Sequence, residues 1–229
     1  MNVLVACEES QEVCKAFRAK GHRAFSCDIQ DCSGGHPEWH IQADVFALLN
    51  GNCTFQTRDT HTHTQAGRWD LIIAHPPCTY LSNAGACRLY PRKGELNKDR
   101  YIEGLRAKEF FMAFWWYGFY GCGKIVIENP IPSSIYELPK PTNCIQPFEF
   151  GEPYSKKTYL WEFGVPSLMP TEIVADYKPY VSCGTSRNKG NAEKAGVSRK
   201  GGAAKTRSKT FRGIAEAMAE QWGASEEET

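Results

Sequence analysis

Two short apolar runs, residues 2–6 and 23–27, bracket an amphipathic stretch in which Val13, Ala16 and Phe17 fall on one helical face. A buried strand, a helix and a second buried strand, in that order, commit the chain to an α/β fold with a mostly parallel sheet and helices on both faces. Ser10 is placed to cap the helix and Gly21 to end it. The second strand runs into the acidic Asp28. In open α/β sheets ligands bind beyond the carboxyl ends of the strands, so the residues that follow each strand are the first candidates for function.

The chain has 229 residues, enough for one core or one domain with a small appendage. Its 41% hydrophobic and 12% aromatic residues exclude a disordered or collagen-like polymer. The apolar runs, such as residues 110–120, are shorter than the roughly 20 residues of a membrane span. The N-terminus lacks a basic-then-apolar leader, so a cytoplasmic protein with no membrane partner is expected. The ten cysteines are scattered without a CxxC pair, which favours reduced thiols over a disulfide framework or a zinc ribbon. Asp28, Cys32, His36 and His40 are of types able to bind zinc, but the segment reads as an unmetallated loop and no metal is expected.

Further along, residues 45–49 suggest a short helix, and the Thr- and His-rich residues 51–67 a surface hairpin or loop holding His61 and His63. Residues 70–74 form a third buried strand that leads directly into His75-Pro76-Pro77-Cys78. A basic loop at 88–100 precedes a long aromatic helix at 102–120, whose Phe110, Phe111, Phe114, Trp115 and Trp116 are expected in the core. A fourth strand at 124–127 ends in Glu128-Asn129-Pro130. Strands are expected at 143–150 and 158–163, and an amphipathic helix at 211–222 with Ile214, Ala217, Met218 and Gln221 along it. The net charge is only +1, yet residues 186–212 are strongly basic and residues 226–228 acidic. The basic run is either a phosphate-binding surface or a solvated linker.

A cysteine after two prolines at a strand end is exposed and held at a turn, as a nucleophilic thiol must be. Cytosine C5 is a poor nucleophile, and adding a thiolate to C6 places carbanion character on C5. That addition needs a hydrogen-bond partner or proton donor at N3, for which a carboxyl kept protonated by burial is suited. Glu128, at the next strand end, is the candidate. The remaining nine cysteines are expected to be buried or inert.

With these residues in view, the chain resembles the cytosine-C5 DNA methyltransferase family over most of its length and in the family's order. The segment from His75-Pro76-Pro77-Cys78 through Ser82-Asn83-Ala84-Gly85 is similar to the family's Pro-Cys nucleophile loop, and Glu128-Asn129-Pro130 to its Glu-Asn-Val strand end. Lys156 stands where the first arginine of the family's Gln-x-Arg-x-Arg strand would contact the base. Asp28 matches the acidic residue that holds the cofactor ribose, and Asp44 the one that bonds the adenine amino group. Two departures stand out. The usual Gly-rich first loop reads Ala6-Cys7-Glu8-Glu9-Ser10, and the target-recognition region is reduced to residues 164–209.

The resemblance implies a Rossmann-like S-adenosylmethionine-dependent fold with a catalytic part at 1–163, a reduced recognition and basic linker region at 164–209, and a C-terminal helical segment at 210–229 packed back on it. It implies methyl transfer to a flipped DNA cytosine by Cys78, with Glu128, Asn129 and Lys156 as catalytic partners. The cofactor site it implies comprises Cys7, Glu8, Ser10, Asp28, Ile29, Asp44, Val45 and Pro76. The DNA contacts are Ser82, Arg88, Arg92, Lys93, Arg207 and Lys209, and no obligate protein partner is evident. Small size would suit a phage gene, and hence a host cytoplasm. Two other readings stay open: a C5-modifying enzyme of free pyrimidine nucleotides or with a folate donor, and an inactive DNA-binding relative.

Overall fold

The structure is a computed structural model and describes residues 1–120, 123–180 and 208–224. Its centre is a seven-stranded sheet built from β1 (Asn2–Ala6), β2 (Arg23–Asp28), β3 (His40–Gln42), β6 (Leu71–Ala74), β7 (Ile125–Pro130), β8 (Asn143–Ile145) and β10 (Thr158–Phe163), in the order β3-β2-β1-β6-β7-β10-β8. The five strands from β3 to β7 are mutually parallel, and β10 runs antiparallel to both of its neighbours. The chain is thus α/β with a mostly parallel sheet, compatible with a Rossmann-like fold. The strand order reverses between β1 and β6, which is where such sheets open a ligand crevice. A hairpin of β4 (Cys53–Gln56) and β5 (Thr62–Gln65) stands apart as a two-stranded sheet, and β9 (Tyr154–Ser155) pairs with β11 (Lys178–Pro179) in another.

Alternation along the strands sorts the core into two layers. Val3, Val5, Leu71, Ile73 and Val126 face Val13 and Phe17 of α1 (Glu12–Ala19) and Ile214 and Met218 of a C-terminal helix, Arg212–Gly223. Leu4, Ala6, Ile72, Ile125 and Ile127 face the hairpin's Phe55 and, from the long helix Lys98–Phe119, Phe111 and Phe114. In chain order the short helix Ala86–Leu89 is α2, the long helix α3 and the C-terminal helix α4. Successive strand residues point to opposite faces, so apolar runs of this kind require cover on both sides. The C-terminal helix packs against α1, and Leu168 is buried in the same layer.

Several local expectations shift. Ser10 is buried but does not cap α1; the Glu8 carboxylate does, accepting from Val13 N at 2.7 Å and Cys14 N at 3.2 Å. The long helix begins at Lys98 because the Asn97 side chain accepts from Arg100 N at 3.0 Å. The helix expected at 45–49 is one 3-10 turn at Val45–Ala47 capped by Asp44. The strand expected over 143–150 stops at Ile145, where Gln146 and Glu149 form a capping box around a 3-10 turn at Pro147–Glu149. The strand expected to end at 127 continues to Pro130, since β10 supplies partners for Glu128, Asn129 and Pro130.

Cysteine exposure is also more varied than expected. Cys14 and Cys27 are buried, but Cys87 and Cys144 are exposed, and Cys7, Cys32, Cys53 and Cys78 are intermediate. Cys122 and Cys183 lie outside the described residues. Among the described residues, no helix is long and apolar enough to cross a membrane.

Candidate active site

The Pro-Pro-Cys loop leaves β6 and is fastened on both sides of Cys78. Asn129, fully buried, donates from Nδ2 to the Pro76 carbonyl at 2.9 Å. Arg100 of α3 donates to the Thr79 carbonyl at 2.7 Å and lies over the Tyr80 ring. Ser82 N closes a turn onto the Cys78 carbonyl at 2.9 Å, and the loop beyond it is stitched to the segment after β7 by Asn83 N to the Ile131 carbonyl and Ser133 N to the Leu81 carbonyl. Buried Leu81 anchors the whole loop in the core. Cys78 is therefore held at intermediate exposure between two strand ends, and the two sequence motifs at β6 and β7 meet in space.

Glu128 carries an unexpected partner. His75 Nδ1 lies 2.8 Å from Glu128 Oε2, with 11% and 12% of the respective side chains exposed. Burial opposes a charge on either group, but each is charged by the other: the hydrogen bond and charge of Glu128, then the charge of Glu8, raise the His75 pKa. For Glu128, burial is outweighed by the hydrogen bond and charge of His75 and by Lys156, so its pKa lies below the usual carboxylate range. Burial by itself would favour the neutral carboxyl, whereas the hydrogen bond and charge of His75 favour the ionised form. Lys156, from the connection between β9 and β10, is within electrostatic reach of both partners. His75 Nε2 and Asn129 Oδ1 are buried without a hydrogen-bond partner among the described residues. Such orphaned atoms are rare and costly away from functional sites.

The sign of this coupling gives a testable pH dependence. His75, raised in the folded state, contributes stability present below its unfolded value and lost as pH rises through the folded one. Glu128, depressed, contributes stability present above its unfolded value and lost as pH falls through the folded one. The free-energy gap between the native protein and Glu128→Gln should therefore be widest at about pH 5 to 6.5, on the order of 1–3 kcal/mol, and close on either side. Denaturant unfolding across pH measures it; a gap independent of pH would remove the ion pair.

Seven of the eight expected cofactor residues stand at or after the ends of β1, β2 and β3, and Pro76 stands after β6. Cys7 adopts a left-handed backbone, φ 60, at the junction where glycine was missed, and Gln11 does the same at φ 61. The chain thus makes the turn that glycine would ease, at a cost of about 1–2 kcal/mol per residue. Gly34 permits the loop after β2 to fold onto it, since a Cβ there would lie 2.5 Å from the Ser10 carbonyl. Burial pushes the Cys7 thiol up, with the charges of Asp28, then Cys27 and Asp44, adding to it, which places both aspartates near this turn. Asp28 accepts from Gln30 N and Asp44 from Phe46 N. Ile29 is 76% exposed beside them, whereas Val45 and Pro76 are buried.

Glu8 is different from the rest of that set. Its side chain is buried, and both oxygens cap α1, with burial raising its pKa against the pull of His75 and the two N–H groups. A helix N-terminus is a natural anion site, and here the protein's own carboxylate fills it. Both oxygens of the Glu8 side chain are thereby engaged by the helix.

No model of a known protein family matches the chain, and no curated protein matches it.

The expected DNA contacts divide. Ser82 bridges to Pro132, Arg88 is exposed on α2 and Lys93 on the loop that follows it, and Arg92 pairs loosely with Glu95 at 3.7 Å. Lys209 is half-buried before α4; Arg207, the rest of the basic run from 186 to 206 and the acidic tail lie outside the described residues. Of the zinc-capable set, His40 has both ring nitrogens engaged, by Ser26 Oγ and the Gln30 carbonyl, and His36 stacks on Trp39. Sequence reading passed over His75 and Arg100 as functional. His75 had a signal: a titratable residue directly after a buried strand. Arg100 had none, because its contact spans 21 residues. A cavity of about 880 Å³ opens between α1 and α4, but none of its lining residues belongs to the strand-end junctions, and two of them, Lys20 and Glu220, pair with each other.

Proposed function

We propose that the chain is a DNA cytosine-C5 methyltransferase using S-adenosylmethionine. The observation that carries this reading is the joining of the Cys78 loop to the Glu128-Asn129-Pro130 strand end through the Asn129–Pro76 bond and the backbone bonds at residues 81–83 and 131–133. A thiol and a charged carboxylate on adjacent strand ends, beside a lysine, form a place where a pyrimidine ring can be attacked at C6 and gripped along its amino edge.

Cys78 Sγ, as thiolate, gives its electron pair to C6, and the C5–C6 π pair moves onto C5 and into the ring. The charges of Lys156 and His75 offset the negative charge that builds there. Glu128 accepts from the ring's amino edge. Once C5 is methylated, loss of its proton restores the C5–C6 double bond and expels the thiolate. The ring must be swung out of a duplex to reach this cleft, with Arg88, Lys93 and Lys209 available to the phosphates.

The donor fits the strand ends in part. Asp28 and Asp44 would hold its ribose and adenine amino group, with Ile29 and Val45 beside the base, while the α1 N-terminus, filled by Glu8, is closed to its carboxylate. When bound, S-adenosylmethionine supplies an electrophilic methyl group. Labelled methyl transfer to DNA and to dCMP tests the reading: incorporation into DNA well above dCMP is expected, whereas incorporation confined to dCMP, or dependent on a folate, would assign the site to nucleotide chemistry.

A further inference from the structure

The long helix α3 is apolar on two sides. Gly104, Phe111, Phe114 and Gly118 are buried on the side that packs on β7 and β10. On the other side Ile102, Leu105, Trp116, Phe119 and Tyr120 keep between 37% and 72% of their surface exposed, so Trp116, expected in the core, faces outward instead. A helix at a protein surface usually turns charged and polar residues outward, whereas apolar residues all round mark a helix with neighbours on every side. The outer residues also keep a fixed rhythm. Ile102, Leu105, Glu109, Met112, Trp116 and Phe119 follow one another at intervals of three, four, three, four and three residues, and all but Glu109 are apolar. That is the spacing of a seam that packs knob-into-hole on another helix. Its aromatic end is already ordered: Trp115 stacks on Phe119 with centroids 4.8 Å apart, and Trp116 on Tyr120 at 5.5 Å. Aromatic side chains held in place beforehand lose little freedom on docking.

We propose that two copies of this chain pair through this face, α3 against α3 and antiparallel, around a two-fold axis that passes between Glu109 and Met112. Charge distribution and area both fit a second copy. All the charged residues of α3 lie in its first half, among them Arg106, Lys108 and Glu109, and residues 110–120 carry none. An antiparallel pairing lays each charged half on the aromatic half of the other copy. Leu105 then stands level with the partner's Trp116, and Lys108 comes beside the partner's Trp115, where a cation gains from the ring face. A parallel pairing would set Glu109 against its own copy in the middle of the seam, a like-charge contact that opposes it. At about 150–250 Å² for an aromatic side chain, the exposed parts of Trp116, Phe119 and Tyr120 alone offer on the order of 350 Å². Ile102, Leu105 and Met112 extend the row along a helix about 33 Å long, which brings the face within reach of the roughly 800 Å² per partner of a stable interface. None of the seam residues belongs to the strand-end site, so the pairing stands apart from the chemistry proposed there.

Sedimentation velocity of the full chain over about 1–100 µM tests the pairing. The native protein is expected to pass from the mass of one chain to that of two as concentration rises. Leu105→Glu and Trp116→Lys each put a lone charge into the seam and should weaken self-association about 100-fold or more. Both side chains lie outside the core, so circular dichroism should show the fold unchanged in either variant. Combined in one chain, the two substitutions face each other with opposite charge across an antiparallel pair and should restore the doubled mass. In a parallel pair each would meet its like, so a double variant that stays monomeric overturns the pairing. A native chain that remains a monomer throughout overturns the proposal, and so does a dimer that both single variants leave intact. Binding of a monomeric native chain to phosphatidylcholine vesicles, lost in Trp116→Lys, would overturn it by giving the face to a lipid surface.

Discussion

On the proposed function, replacing Cys78 by serine is expected to reduce methyl transfer by about 10⁴-fold or more, because that reading assigns the bond to C6 to the Cys78 thiolate. The loss should come without a loss of fold. The clamps around the residue use the carbonyls of Pro76, Cys78 and Thr79 and the backbone of residues 82 and 83, all retained in the variant. Serine is nearly isosteric with cysteine, and at intermediate exposure the substitution should change stability by less than about 1 kcal/mol. Single-turnover incorporation of labelled methyl, alongside a denaturant unfolding curve, separates the two effects. Native-like turnover by the serine variant would remove the thiol from the reaction. Three of the other thiols are poor substitutes: burial pushes Cys27 up to about 12 and raises Cys7 and Cys14 as well, so none of these three supplies a thiolate near neutral pH.

Truncating Trp161 to alanine is expected to destabilise the fold by about 3–5 kcal/mol, lowering the thermal midpoint by roughly 10 °C. Trp161 is among the largest fully buried side chains, edge-on to Phe111 of α3 with ring centroids 4.8 Å apart. Its indole N–H also donates to the Pro139 carbonyl at 2.9 Å, which the variant would leave without that donor. The effect should reach the site, since Trp161 sits opposite Ile127 in the register that carries β7 on through Glu128 and Asn129. Loosening β10 weakens the pairing that holds the carboxylate at the strand end. Thermal unfolding followed by circular dichroism measures the first effect, and the methyl-transfer rate at a temperature where the variant stays folded measures the second. A midpoint within about 2 °C of the native one would mean that the strand is held by other contacts.

The main outline was legible because it depends on local pattern. Apolar runs at 2–6, 23–27, 70–74 and 124–127, each followed by a polar or acidic junction, announced the parallel strands, and the same junctions named Cys78, Glu128 and Asp28, whereas Asp44 came from the family resemblance. Asn129 and Lys156 came from the family resemblance, and the structure places both beside Glu128 or its loop. Cap identity was less legible. Ser10 has the right chemistry and position, yet the left-handed turns at Cys7 and Gln11 bring the longer Glu8 side chain under the helix instead.

What the order of residues determined alone was which segments become buried strands and which functional groups stand at their carboxyl ends, since periodicity and burial act within a few residues. Only the tertiary structure decided the charge of those groups. The state of Glu128 depends on His75, 53 residues away in the chain, and on Glu8 and Lys156 from two other connections. A carboxyl's protonation follows from what is packed against it in three dimensions, and burial by itself would have given the opposite sign.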